Sequence, residues 1–357
     1  MTRTILNRVK NDPMKEPLFM GSDLSIQRYD VFKYPVFFDL YKKQMEFFWR
    51  PEEIELKKDR SDFKDDKIMS DNERFIFTAN LKYQTVMDSV ICRGVPLIQQ
   101  YVSNPELEAC LNVWQFFEQI HSYSYTYIIK NVYSDPTSVL DSCLTDPEIA
   151  SRAEVAVKEY DALLDTGKSE RDIRKQIYLT LIGINILEAV RFYVSFICAF
   201  AFAENKKMAG NADIVKLIKR DEALHLYNTQ EILKILASVK EEGFMDIADE
   251  CQEEACQMFE SAANEEKQWA AYLFKDGSII GLNETIMSQY IDWLCHSRRK
   301  TIGLPYETGF RNPISGWTEP WMNSEAVQVA PQEHEITSYK IGASSNDLDD
   351  TSFSGIL

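Results

Sequence analysis

The chain has 357 residues but only four histidines, and no proline interrupts it between Pro147 and Pro305. Glycine is sparse, at 13 residues, and none of it forms a Gly-rich loop able to cradle phosphate. Cysteine is odd in number, seven, and scattered at Cys92, Cys110, Cys143, Cys198, Cys251, Cys256 and Cys295 with no C-x-x-C pair. That excludes a dithiol redox motif and a disulfide framework, and it points to reduced, mostly buried thiols in a cytoplasmic protein. Basic residues are outnumbered 39 to 56, for a formal net charge of −17, which excludes an electrostatic nucleic-acid surface. No alternating strand pattern occurs, and the N-terminal MTRTILNRVKNDPMKEP lacks the apolar core of a secretory signal.

With few breakers, long helices can run uninterrupted. Tyr34-Pro35, Asn104-Pro105-Glu106 and Asp146-Pro147-Glu148 each place a proline at a first helical position. Apolar residues at helical spacing fill 71–92, 105–131, 147–164, 170–204, 211–238, 244–274 and 283–300. The expectation is an all-α bundle. Residues 177–202 are apolar enough to span a bilayer, but Asn185, Glu188 and Arg191 at the centre favour the core helix of a bundle. Three regions are expected: an arm over 1–30, a helical domain over 31–325 and a C-terminal tail over 326–357. The polar, acidic tail is either simply a tail or, since it ends in Phe353, Ile356 and Leu357, a docking peptide.

The chemistry is concentrated in four helices. Glu118-x-x-His121 and Glu222-x-x-His225 use two of the four histidines, and a spacing of three puts each pair on one helical face. A lone acid in an apolar helix precedes each pair: Asp88 in LKYQTVMDSV and Glu188 in NILEAVRF. Acid, E-x-x-H, acid, E-x-x-H is the ligand set of a carboxylate-bridged dimetal site inside a bundle. Four carboxylates balance two divalent cations, which explains how so many acids can be buried together. Oxygen-rich ligands with one imidazole per metal suit iron or manganese. Tyr125, four residues after His121, lies on the ligand face, whereas Tyr123, Tyr127 and Tyr133 point elsewhere. Phe192, Phe196 and Ile218 sit one or two turns from the ligands; such residues are ordinary core, or a dry cage around one phenol.

These motifs resemble the small, radical-generating subunit of class I ribonucleotide reductase. The resemblance runs in order through FFWRPEEIEL, NLKYQTVMDS, FEQIHSYSYT, NILEAVRFYVSF, RDEALHL, DGSIIGLN and VQVAPQEHEITSY. It implies a ferritin-like fold, a homodimer, two oxo-bridged iron ions per chain (manganese being the alternative), and a tyrosyl radical made with dioxygen and an external electron donor. Asp88, Glu118 and His121 are then ligands of one metal and Glu188, Glu222 and His225 of the other, with Glu118 and Glu222 bridging. Tyr125 takes the radical position, and Phe192, Phe196 and Ile218 its apolar pocket. Trp49 and Asp221 match an electron-transfer route, and Tyr339 the tail tyrosine that relays the radical to the large subunit. Trp114, four positions before Glu118, is expected to support the cluster. The sequence departs from the family in a short connector between Tyr160 and Tyr178 and in the bulk of Phe117. Two other functions fit parts of the pattern: a ferritin-like metal store or ferroxidase, and a dimetal oxidase acting on an organic substrate.

Overall fold

The computed structural model describes residues 7–8, 12–23, 26–165 and 167–322. The helices run α1 (Pro35–Glu46), α2 (Lys57–Lys64), α3 (Asp71–Gln99), α4 (Pro105–Val132), α5 (Pro136–Asp141), α6 (Pro147–Ala162) and α7 (Glu170–Ile186). A π-helical turn, Leu187–Arg191, leads into α8 (Phe192–Glu204). Then follow α9 (Ala209–Ser238), α10 (Met245–Glu250), α11 (Gln252–Leu273), α12 (Glu284–Thr301) and α13 (Ser315–Met322). No β-strand occurs among the described residues, only two isolated bridges. The all-α expectation holds. The proposed tail, with Tyr339, Phe353, Ile356 and Leu357, lies outside the described residues.

Local chemistry accounts for most helix starts. Ser70 and Glu73 form a reciprocal capping box at α3. Asn104 and Asp146 cap α4 and α6, each followed by a proline. Helix α9 is different, because Met208 at its N-cap has φ 51° and no capping side chain. Two acids of α2 serve instead: Asp59 accepts from the amides of Gly210 (3.0 Å) and Asn211 (2.6 Å), and Asp62 from that of Met208 (3.2 Å). Negative charge at this end also suits the helix dipole.

Three boundaries differ from the sequence reading. Helix α3 continues beyond residue 92 to Gln99 despite Pro96, because Val95 and Ile98 extend its buried face. Cys251, at φ −87° and ψ 0°, divides the single helix expected over 244–274. The expected helix over 170–204 is continuous, but it passes through the π turn at Glu188. Every residue from Ile184 to Phe202 is buried, so this apolar surface faces other helices. Each Phe or Leu so buried contributes roughly 1.5–3 kcal/mol.

Helix α6 packs on α3 at Gly94. A Cβ there would lie 2.3 Å from Cε1 of the buried Tyr160 ring. Gly94→Ala therefore requires Tyr160 or the helix to shift, and it is expected to destabilise the fold by about 1–3 kcal/mol. A lowered denaturation midpoint with unchanged slope is the measurement; an unchanged midpoint contradicts the packing.

Candidate metal centre

Helices α3, α4 and α9 and the π turn bring the predicted ligands to one buried place. Asp88, Glu118, His121, Glu188, Glu222 and His225 are all essentially inaccessible to solvent. Ligand atoms of Glu118, His121, Glu222 and His225 lie within 4.8 Å of one another. His121 Nδ1 is 3.0 Å from Glu222 Oε1, 3.7 Å from Glu118 Oε2 and 3.9 Å from Asp88 Oδ1. His225 Nδ1 is 2.8 Å from Glu222 Oε2 and 3.0 Å from Glu118 Oε1. Both central glutamates thus face both imidazoles, the arrangement of bridging ligands. Glu188 approaches from the π turn, and its strongest charged neighbour is Glu222.

Hydrogen bonding inside the protein does not satisfy this cluster. Both oxygens of Asp88 and of Glu188, Oε2 of Glu118, Oε1 of Glu222 and Nδ1 of His121 have no hydrogen-bond partner. Buried orphans of this kind are rare and costly. Together they offer the oxygen and imidazole donors that two divalent cations need, so the residues fit a dimetal centre. Electrostatics show the strain of packing acids together. Burial, then the charges of Glu222 and Glu118, raises Asp88 well above the carboxylate range. Burial and Glu222 do the same to Glu188. Burial also opposes ionisation of Glu222, but the neighbouring Glu188 carboxyl and the two imidazoles outweigh it, and Glu222 is held low. For His225, burial disfavours the cation, yet Glu222 and Glu118 prevail and raise it to about 8. Protons and metal ions compete for these atoms.

The surrounding groups orient the ligands. Trp114 donates its indole N–H to Glu118 Oε1 at 2.6 Å and stacks on His225 at 4.8 Å. Asp221 Oδ2 accepts from Trp49 Nε1 at 2.7 Å and lies 3.2 Å from His121 Nε2. That contact places a proton on Nε2 and leaves Nδ1 to face the acids. Trp49, Asp221 and His121 thus form one hydrogen-bonded line through residues 172 and 100 positions apart. Sequence reasoning missed Arg220, which donates from Nε and Nη2 to Asp221 Oδ1, both at 3.1 Å, and from Nη2 to the Phe47 carbonyl. The signal was present: an arginine directly beside an acid in the run KLIKRDEALHL.

Tyr125 is fully buried, and its hydroxyl has no hydrogen-bond partner. Burial, then the charge of Asp88, lifts its pKa well above the ordinary phenol value. It is a neutral phenol in a dry place beside the acids. Phe192 and Phe196 stack at 6.0 Å, and both are buried, as is Ile218. The other phenols of α4 and of its C-cap are engaged elsewhere: Tyr123 with Glu52, Tyr127 with the Ile54 carbonyl, Tyr133 with Thr78.

A long-helix bundle enclosing two E-x-x-H pairs and two further acids defines a ferritin-like dimetal-carboxylate protein. The family description "Ribonucleotide reductase, small chain" matches residues 27–311. The ribonucleoside-diphosphate reductase subunit beta of Haemophilus influenzae is 44% identical, across 99% of this chain and 100% of that one. Subunit beta of ribonucleoside-diphosphate reductase 1 from Escherichia coli O157:H7 is also 44% identical, over 98% of both chains. The solved ribonucleotide reductase R2 subunit of Clostridium botulinum superposes with TM-score 0.81 at 27% identity, covering 90% of this chain and 98% of that one. The chain belongs to the ribonucleotide reductase small-chain family.

Proposed function

We propose that this chain is the radical-generating small subunit of a ribonucleoside-diphosphate reductase. Asp88, Glu118, His121, Glu188, Glu222 and His225 hold two iron ions, and Tyr125 is the phenol oxidised to a stable radical. A large subunit receives the radical equivalent and reduces ribonucleotides to deoxyribonucleotides. The observation that carries this reading is the buried, unpartnered Tyr125 hydroxyl beside six buried ligands.

When bound, the metal pair supplies the dioxygen-driven oxidising power that removes one electron from a phenol. The chain's own residues do the rest. Six side chains fix the cations; Trp114 and Asp221 orient Glu118 and His121. Phe192, Phe196 and Ile218 exclude the water and reductants that would quench a radical. Trp49, fully buried and hydrogen-bonded to Asp221, is placed to pass an electron inward, its indole proton moving to Asp221 Oδ2. Arg220 keeps that acid aligned.

The remaining assignments follow the same reading. Residues 1–30 form an arm, 31–325 the ferritin-like helical domain, and 326–357 the segment that docks the large subunit, with Tyr339 as its relay. Phe48 and Phe116 are half exposed and stacked at 6.0 Å, with Met45 and Tyr123 also exposed, an apolar face suited to a homodimer. Cysteines that are all free suit the cytoplasm. A metal store has no use for a protected phenol at the ligand face, so the storage reading is disfavoured.

Ferrous iron added with air should yield two metals per chain and a phenoxyl signal by electron paramagnetic resonance. Glu222→Ala and His225→Ala should each lower metal occupancy, by about tenfold or more in affinity. Full two-metal loading in both variants would sink the ligand assignment.

A further inference from the structure

Of the four elements that carry ligands, only the turn Leu187–Arg191 is not a regular α-helix. Its widened bond runs from the Phe192 amide to the Leu187 carbonyl. Turns of this kind are rare inside helices, and they persist where the surroundings over-determine them. Glu188 depends on the turn for its aim. Trp114 holds Glu118, Asp221 holds His121, and Glu222 meets His225 at 2.8 Å. Neither oxygen of Glu188 has a hydrogen-bond partner. Asp88 has none either, but it stands on the regular helix α3.

A buried ionic network outside the ligand set engages the last residue of the turn. Arg191 donates from Nη1 to Glu266 Oε1 at 2.9 Å and from Nη2 to Glu265 Oε2 at 2.6 Å, both acids on α11. Tyr83 of α3 donates its hydroxyl to the same Glu266 oxygen at 2.9 Å. Arg191 is 4% exposed, and Glu266 and Tyr83 are wholly buried. Burial opposes the charge on Arg191, but Tyr83, Glu266 and Glu265 outweigh it, and the guanidinium stays protonated. Arg152, the other arginine nearby, is engaged by Glu148 and by the Glu265 carbonyl. Replacing such a buried pair by apolar side chains of similar volume is often neutral or stabilising, so stability does not account for the network. Its geometry does something else. A rigid fork gripping two neighbouring acids fixes the place and rotation of Arg191 against α11, and Arg191 is three residues from Glu188.

We propose that Arg191, gripped by Glu265 and Glu266 with Tyr83 behind them, is a positioning residue that locks the π turn in register and so aims Glu188 at the metal it shares with Glu222 and His225. A slip of one residue in helical register turns a side chain by about 100°. Relaxation of the turn to regular helix would therefore swing Glu188 off the cluster while leaving Asp88, Glu118 and His121 in place.

The test is anaerobic titration of the full-length protein with cobalt(II), which counts bound ions and gives the affinity of each, with urea denaturation in parallel. The triple variant Tyr83→Phe, Arg191→Met, Glu266→Leu removes the network and orphans none of its three members. Its denaturation midpoint should hold or rise, while one of the two cobalt ions binds about tenfold or more weakly and the other as in the parent. Arg191→Lys keeps the cation without the fork, and it should show a smaller loss confined to the same ion; it decides the matter alone if the triple variant does not fold. Parent-like affinity for both ions in the folded variants overturns the inference. So does an equal loss at both, because a general loosening of the core does not choose between them. The inference rests on Glu188 being a ligand, which Glu188→Ala tests separately: that variant should lose the same ion. Full loading of Glu188→Ala overturns the ligand reading and the inference with it, whereas loss there with parent-like Arg191 variants overturns the positioning alone.

Discussion

Tyr125→Phe should abolish the stable phenoxyl signal and reduce nucleotide turnover to no more than about 10⁻³ of the parent, equivalent to about 4 kcal/mol of lost barrier lowering. The substitution removes one oxygen and nothing else. That oxygen makes no hydrogen bond and sits in a fully buried site, so its loss leaves no other group unpaired. Phenylalanine fills the same space without a desolvated hydroxyl, so folding stability should stay level or rise by about 1 kcal/mol. Two metals per chain should still load, since no ligand is altered. The combination is diagnostic: intact fold, intact metal content, no radical, no turnover. A radical signal of unchanged shape would instead place the unpaired electron on another tyrosine.

Tyr339→Phe should be nearly as damaging to turnover while leaving the Tyr125 radical in place. Phenylalanine keeps the bulk of the side chain but has no phenol to oxidise, so a relay through this position stops. Binding to the large subunit should change little. Removal of residues 345–357 should do the opposite: Phe353, Ile356 and Leu357 are lost as anchors, each contributing roughly 1.5–3 kcal/mol before ordering costs. Affinity for the large subunit should fall by several orders of magnitude, with cluster and radical intact. Pull-down with the large subunit, paired with turnover, distinguishes the variants. Normal turnover in Tyr339→Phe removes the relay; undiminished binding after truncation removes the docking role.

How much of this was legible without coordinates depended on how far each interaction reaches along the chain. The two E-x-x-H pairs are local, since a spacing of three on a helix fixes their common face, and they came together as expected. Asp88 and Glu188 stood out because a lone acid in an apolar helix needs a partner. The link from Trp49 to Asp221 crosses 172 residues, and no local pattern announces such a contact; only the family resemblance suggested it. The cap of α9 was invisible for a similar reason. Met208 is a poor capping residue, and the acids that serve are Asp59 and Asp62 on another helix. Helix α3 outran the apolar pattern that ended at residue 92, because burial of Val95 and Ile98 overrides the local cost of Pro96.

The apolar stretch from α7 through α8 also bears on how the protein comes to exist. Glu170–Glu204 is long and apolar enough to cross a membrane, and its most apolar window is 94% buried. On the ribosome, α3 and α4 are made first and can shield part of it, but α9, α11 and α12 follow it. Synthesis at about 5–20 residues per second leaves it without those neighbours for several seconds. For that interval the nascent chain displays a sticky segment that is a target for chaperones, or for membrane-targeting factors that would misread it. Glu188 and Arg191 then serve a second purpose: charges in the middle of the segment make lipid a poor destination. An acid that the folded bundle buries thus also helps keep its own helix out of the bilayer.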